Sequence, residues 1–297
     1  MTGSEEPSRT RFNPFGQRSW TDLGPRVVSA LVLLAIALAG LVIGGFLFSA
    51  VVGAAFGGCY REWDRMVTLR PVDAVGGTLI GLIALSALLY TGLGAGVSLA
   101  WIGVAAVIAL VATRGEARFW RAAGVLFFGG TALALMALRG ETGWGVEGVT
   151  DYGLWAGAFL GVVIWITDIG AYFTGRQVGG EKLAPDISPG KTWSGAIGGL
   201  ALGTLAGLIL WLVIVPQSPW WIGLALAVGT SIVGQVGDLS ESALKRRFRV
   251  KDSGDIIPGH GGLMDRLDSL TFGVLFVTIV GLLHGHPAGI AAGLLVW

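Results

Sequence analysis

Long, unbroken runs of apolar residues dominate this chain, and they limit its fold more than any other feature. Nine are read: Val27–Ile43, Phe46–Tyr60, Val75–Tyr90, Gly94–Ala112, Ala122–Leu138, Tyr152–Phe173, Gly195–Val215, Trp221–Val236 and Leu270–His284. A hydrocarbon layer of about 30 Å is crossed by about 20 residues of helix. Inside it the backbone polar groups must pair within their own segment, so each run is expected to be a transmembrane helix. The runs are continuous rather than alternating, which argues against a membrane β-barrel. A single helix from Val27 to Phe56 would be ~45 Å long, so a break is expected at Gly44-Gly45. Composition agrees: 13% of residues are charged, against about 25% in soluble domains. The expected fold is all-α, a polytopic membrane protein with about nine transmembrane helices.

Residues 1–26 are polar and interrupted by Pro7, Pro14 and Pro25, unlike a secretory signal. No small-residue cleavage site follows the first apolar run, which is expected to be kept as a span. With Cys59 alone, no intrachain disulfide is available. The net charge of +1 points to no partner by itself, and no nucleic-acid partner is expected.

The distribution of charge says more. With the amino terminus inside and nine alternating spans, nineteen of the twenty basic residues fall on one side. Only Arg139 falls on the other, in a loop with Glu141, Glu147 and Asp151. The positive-inside rule then makes the first side cytosolic. Residues 1–26 are a cytosolic segment in this scheme, 27–150 a scaffold of about five helices, and 151–297 a region that carries the two longest cytosolic loops, 174–194 and 237–269. Gly195, Gly199, Gly203 and Gly207 recur every four residues, the spacing of a close-packing ridge between helices.

The loop 237–269 holds six acids and six bases. If helix continues into it, Asp238, Glu241, Ser242 and Lys245 share a face, and Asp265 and Asp268 share another at the start of the ninth span. Between them, Pro258-Gly259-His260-Gly261-Gly262 cannot be regular helix, and such glycines let backbone N–H groups approach an anion. Attraction to lipid headgroups accounts for Arg247 and Arg249. It does not account for carboxylates at the membrane ends of both spans. Hard divalent ions bridge carboxylates to phosphates, and nearby cations hold the phosphates. A second group comprises Asp168, Tyr172 and Arg176; an acid within a span marks a site or reaches water at the helix end. Gly190-Lys191-Thr192 resembles the end of a P-loop, but Pro185 stands where its first glycine belongs. Lys191 therefore reads either as an interfacial cation at a proline turn or as a phosphate ligand. His260, flanked by glycines, is placed near substrate, whereas His284 and His286 fall on the opposite side.

The segment Ser242-x-Leu-Lys245-Arg246-x4-Lys251-Asp252-x-Gly254-x2-Ile257-Pro258-x-His260-Gly261-Gly262-Leu-x-Asp265-Arg266-Leu-Asp268 resembles the signature of the phosphatidate cytidylyltransferases, the CDP-diacylglycerol synthases. Asp168-x-x-Ala-Tyr172-x-x-Gly175-Arg176 and Ser188-Pro-x-Lys191-Thr192-Trp193 look like two further segments of that family, so the motifs cover residues 168–269. The resemblance implies transfer of the cytidylyl group of CTP to phosphatidate, with pyrophosphate released, using Mg²⁺ and a possible second metal ion. It also implies a possible homodimer in the cell (inner) membrane, among membrane lipids, with its site on the cytosolic face. Metal binding is then expected from Asp238 and Asp265, with Asp168 and Asp268 as further ligands. Lys245, Arg246, Lys251 and Arg266 are expected on the phosphates, and Gly261 and Gly262 as backbone donors. Lys191, Arg176, Tyr172 and Ser242 are expected to contact substrate, with His260 among the catalytic groups.

Three other readings compete. A transporter would spread its charges across spans toward the midplane, whereas here they gather at one face. A CDP-alcohol phosphatidyltransferase would carry Asp-Gly-x-x-Ala-Arg, and no Asp-Gly pair occurs in the chain. A cytidylyltransferase acting on an isoprenoid lipid phosphate would need the same headgroup chemistry.

Overall fold

The structure is a computed structural model and describes residues 23–140, 151–257 and 261–297. The amino-terminal polar segment before residue 23, most of the loop after Arg139, and His260 lie outside the described residues. Each of the nine apolar runs falls in helix, apart from Gly94 and Val215 at the ends of two of them. In order these are α1 (Leu23–Ile43), α2 (Gly45–Thr68), α3 (Ala74–Leu93), α4 (Ala95–Ala112), α5 (Ala117–Gly124) continuing into α6 (Gly130–Arg139), α7 (Asp151–Gln177), α8 (Trp193–Ile214), α9 (Trp220–Arg247) and α10 (Met264–His284). A short α11 (Ile290–Leu295) follows. Among the described residues, seven helices are long and apolar enough to cross a membrane: α3, α4, the continuous α5–α6, and α7 to α10. In α1 the apolar stretch is the shorter Leu31–Ile43, and α2 ends in a charged turn with Arg61, Glu62, Asp64 and Arg65.

The break between α1 and α2 falls at the two glycines. Gly44 and Gly45 have φ of 70° and 56°, the left-handed region that side chains avoid. Between α5 and α6 the helix widens into a π-helical turn, Val125–Gly129.

Both expected cytosolic loops shrink. The loop 237–269 becomes 248–263, because α9 runs on to Arg247 and α10 begins at Met264. In 174–194, α7 extends to Gln177 and a two-stranded antiparallel hairpin follows: β1 (Lys182–Ala184) and β2 (Ser188–Thr192). Apolar-run length marked where the hydrocarbon ends, not where the helix ends. Polar residues continue a helix into water as readily as apolar ones.

The apolar side chains are inverted relative to a soluble helix. On α8 the buried positions are Gly195, Gly199, Gly203, Gly207 and Trp211. Ile197, Leu202, Leu205, Ile209 and Leu212 point outward, 44–62% exposed, as suits a surface facing lipid. The glycine ridge lies against α7: a Cβ on Gly195 would come within 2.9 Å of the Ala171 carbonyl, and one on Gly199 within 2.6 Å of the Thr167 carbonyl. This close approach, with the buried bond from Thr167 Oγ1 to Ser231 Oγ of α9 at 2.8 Å, fixes α7 one residue before Asp168.

Two buried clusters make up the interior. One gathers side chains of α2 to α6 with Met264, the other side chains of α7 to α11 with Leu138. The first also holds charge. Arg121, its side chain 4% exposed, binds Asp64 through Nε at 2.7 Å and Asp73 through Nη2 at 2.9 Å. Asp73 in turn caps α3, accepting from the Gly76 N–H at 2.7 Å. Arg139 is buried too, its Nε donating to the Leu41 carbonyl at 2.8 Å, so it closes the end of α1.

Candidate functional site

The carboxyl ends of α7 and α9 and the amino ends of α8 and α10 meet at one end of the bundle, around a cavity of about 680 Å³. Nine of the residues expected from the sequence line it: Asp168, Tyr172, Arg176, Lys191, Asp238, Lys245, Asp265, Arg266 and Asp268. Four acids and four bases thus face one space, from segments up to a hundred residues apart in the chain.

Helical spacing explains the α9 contribution: Asp238, Glu241 and Lys245 stand on successive turns of one face. Lys245 Nζ lies 2.5 Å from Asp265 Oδ1 and 3.5 Å from Glu241. Asp265 is tied down at its other oxygen as well. Oδ2 accepts from the Ser253 N–H at 3.1 Å, the Ser253 hydroxyl at 2.8 Å and the Gly262 N–H at 3.2 Å. The Gly262 donor, expected to face substrate, is therefore engaged by Asp265. Gly261, at φ 83°, pairs its carbonyl with the Ile257 N–H at 3.1 Å.

Lys191 sits in β2 rather than in a proline turn, and its Nζ meets Asp238 Oδ2 at 2.5 Å. The hairpin delivers it there. Thr192 ends β2 and caps α8, its Oγ1 accepting from the Gly195 N–H at 3.1 Å, so one threonine joins the strand to the helix. Tyr172 and Arg176, four residues apart on α7, bond through the tyrosine hydroxyl at 2.7 Å. Asp168 and Asp268 differ from the other two acids: among the described residues neither has a basic partner at ion-pair distance. Asp268 accepts from the Ser269 N–H at 2.6 Å.

Other expected residues lie off the cavity. Arg246 turns to the hairpin, Nε donating to the Ile187 carbonyl at 3.2 Å. Lys251 is exposed in the loop, and Ser242 is half-buried beside Glu241 without lining the cavity. His260 lies outside the described residues.

An apolar chamber of about 370 Å³ adjoins the polar one, and the two share Asp268. Trp63, Trp120, Phe127, Phe128 and Phe272 form much of its wall, and Glu241 also lines it.

Sequence reasoning missed Glu62. It is fully buried at the end of α2, and its carboxylate binds Ser253 and the first N–H groups of α10. A signal existed: an acid two residues beyond an apolar span. No local pattern tied it to a loop about 190 residues later.

The fold and this two-signed cavity define a multi-pass helical membrane protein with a polar site where its helices end. The chain belongs to the cytidylyltransferase family, whose model matches residues 24–284. It is 38% identical to a phosphatidate cytidylyltransferase of Brucella suis biovar 1 (strain 1330), over 90% of this chain and 96% of that protein. It is 46% identical to one of Bacillus subtilis (strain 168) over 44% of this chain and 49% of that protein.

Proposed function

We infer that the protein transfers the cytidylyl group of CTP to phosphatidate, forming CDP-diacylglycerol and pyrophosphate. The observation that carries the reading is the single cavity in which Asp168, Asp238 and Asp268 face Lys191, Lys245 and Arg266, in a chain similar to phosphatidate cytidylyltransferases along most of its length. An oxygen of the phosphatidate phosphate attacks the α-phosphorus of CTP, and the bond from that phosphorus to the β-phosphate oxygen breaks. The attacking oxygen is already ionised, so alignment and charge stabilisation supply the rate rather than proton removal.

Mg²⁺ suits this donor set. Among the described residues no three His, Cys, Asp or Glu side chains cage an ion, but Mg²⁺ keeps waters and takes one or two carboxylates with substrate phosphates. Asp168 and Asp268, without basic partners among the described residues, and Asp238, paired to Lys191, would hold it. Asp265, whose Oδ1 is paired with Lys245, would be a further ligand. When bound, the ion neutralises phosphate charge and stabilises the leaving pyrophosphate. Lys191, Lys245 and Arg266 hold the triphosphate and the lipid phosphate, and Arg176 with Tyr172 borders the same space. The apolar chamber, which shares Asp268 with the polar one, would take the lipid part of phosphatidate beside its phosphate. The site faces the cytosol of the inner membrane, by the charge asymmetry of the loops, and the enzyme works among membrane lipids, with a homodimer as the expected assembly.

The test is turnover by the purified protein in detergent with CTP, phosphatidate and Mg²⁺, each omitted in turn. CDP-diacylglycerol and pyrophosphate formed only with all three is the expected result. Folded protein that leaves phosphatidate untouched but uses an isoprenoid lipid phosphate would move the assignment to that acceptor.

A further inference from the structure

Glu62 lies outside every segment with phosphate chemistry, yet its carboxylate is buried and fully used. Oε1 accepts from the Leu263 N–H at 3.0 Å, and Oε2 from the Met264 N–H at 2.8 Å. These are N–H groups at the start of α10, where intrahelical partners are missing and negative charge is favoured. Oε2 also lies 3.1 Å from Ser253 Oγ, which is 2.8 Å from Asp265 Oδ2. A hydroxyl has one proton to donate, so Ser253 serves one acid at a time and stands between both. The fit leaves no room for side chains. A Cβ on Gly254 would come within 2.5 Å of Glu62 Oε1, and one on Gly262 within 2.8 Å of both carboxylates.

We propose that Glu62 is a positioning residue for the reaction site, a clamp that fixes Ser253 and the start of α10 onto α2 and so aims Asp265 and Lys245 at the cavity. All three donors to Asp265 Oδ2 come from the residues Glu62 holds or from their immediate neighbours. Lys245 depends in turn on Asp265 Oδ1. If Glu62 lets go, Asp265 loses its fixed direction, and Lys245 loses its place with it. The clamp joins the first half of the chain to a site built otherwise from the second. For its role in turnover the inference rests on the proposed reaction; the clamp itself does not.

Glu62→Gln keeps length and volume but leaves one accepting oxygen where two are needed. Ser253→Ala removes only the bridging hydroxyl. Hydrogen–deuterium exchange in detergent reads the clamp directly: exchange at Leu263 and Met264 is expected to rise at least about tenfold in Glu62→Gln. In the assay with CTP and phosphatidate, kcat is expected to fall about 10–100-fold, the range typical of groups that orient ligands. The Mg²⁺ concentration for half-maximal rate is expected to rise, with KM for phosphatidate held within about twofold. Ser253→Ala should move kcat and the Mg²⁺ requirement the same way by less, and the double variant should lose less than the product of the two. Unchanged exchange at Leu263 and Met264, or folded Glu62→Gln with wild-type kcat and Mg²⁺ requirement, would overturn the proposal. If Glu62→Gln does not fold, Ser253→Ala decides it, and wild-type behaviour there sinks the clamp. A wild-type protein that does not turn over phosphatidate overturns the reaction, and the exchange at Leu263 and Met264 still decides the clamp.

Discussion

At the scale of single residues, the cavity sorts its acids by what already holds them. Asp265 has a partner at both oxygens, Asp238 has a lysine, and Asp168 and Asp268 have no ion-paired cation among the described residues. Asp238→Asn keeps the shape and removes a charge, so it should cost at least about 100-fold in kcat, the upper end for groups one step further from an ion. Steady-state rates across a Mg²⁺ series check this, and a rate within a fewfold of wild type would remove Asp238 from the ligand set. Asp73 belongs to the framework. The Gly76 N–H, with Arg121 beside it, holds its carboxyl below the usual carboxylate range. Its contribution is therefore full above the ordinary value of about 4 and is lost only as pH falls through the lower folded value. Asp73→Ala should cost about 1 kcal/mol of stability, as lost caps do. The gap in Tm from wild type should stay level between pH 5 and 8 and close only in stronger acid.

At the scale of elements, the site depends on how closely α7 and α8 approach. Gly199 sits where any side chain would strike the Thr167 carbonyl, one residue before Asp168. Gly199→Leu should therefore cost about 1–3 kcal/mol by overpacking and lower activity beyond the loss of folded protein. Thermal unfolding and rate per folded molecule separate the two effects. The four-residue glycine spacing was legible in the sequence because a helix face repeats at that interval. The hairpin was not: Lys182–Ala184 and Ser188–Thr192 are short and hold Pro189 and Gly190, which carry little strand preference. Their pairing is closed by contacts beyond the strands, such as the Trp193 N–H to the Glu181 carbonyl at 3.0 Å. The same limit hid the true ends of α7 and α9, since periodicity locates a buried face and leaves the last polar turns undefined.

Across the whole molecule, alternating helices bring the ends of α2, α7 and α9 and the starts of α3, α8 and α10 to the end that carries the cavity. Arg65 reaches Asp255 of the segment between α9 and α10 there, at 3.2 Å. Sidedness can be read by labelling, because the single cysteine, Cys59, is buried. Lys251→Cys should react with an impermeant maleimide only when the cytosolic face is exposed, and Ala288→Cys only from the other face. Labelling of both from one face would overturn the orientation. The sequence by itself determined that the chain is helical and membrane-spanning, and it identified most of the charged groups that meet in the cavity. Hydrocarbon thickness, the helical repeat and the chemistry of phosphate are all local constraints that leave marks along the chain. Only the tertiary structure decided that Asp265 is engaged at both oxygens, that Lys191 arrives on a strand, and that Glu62 reaches across about 200 residues to hold α10. Those facts concern which lone pair meets which donor, and that is fixed by helices docking in space rather than by spacing along the chain.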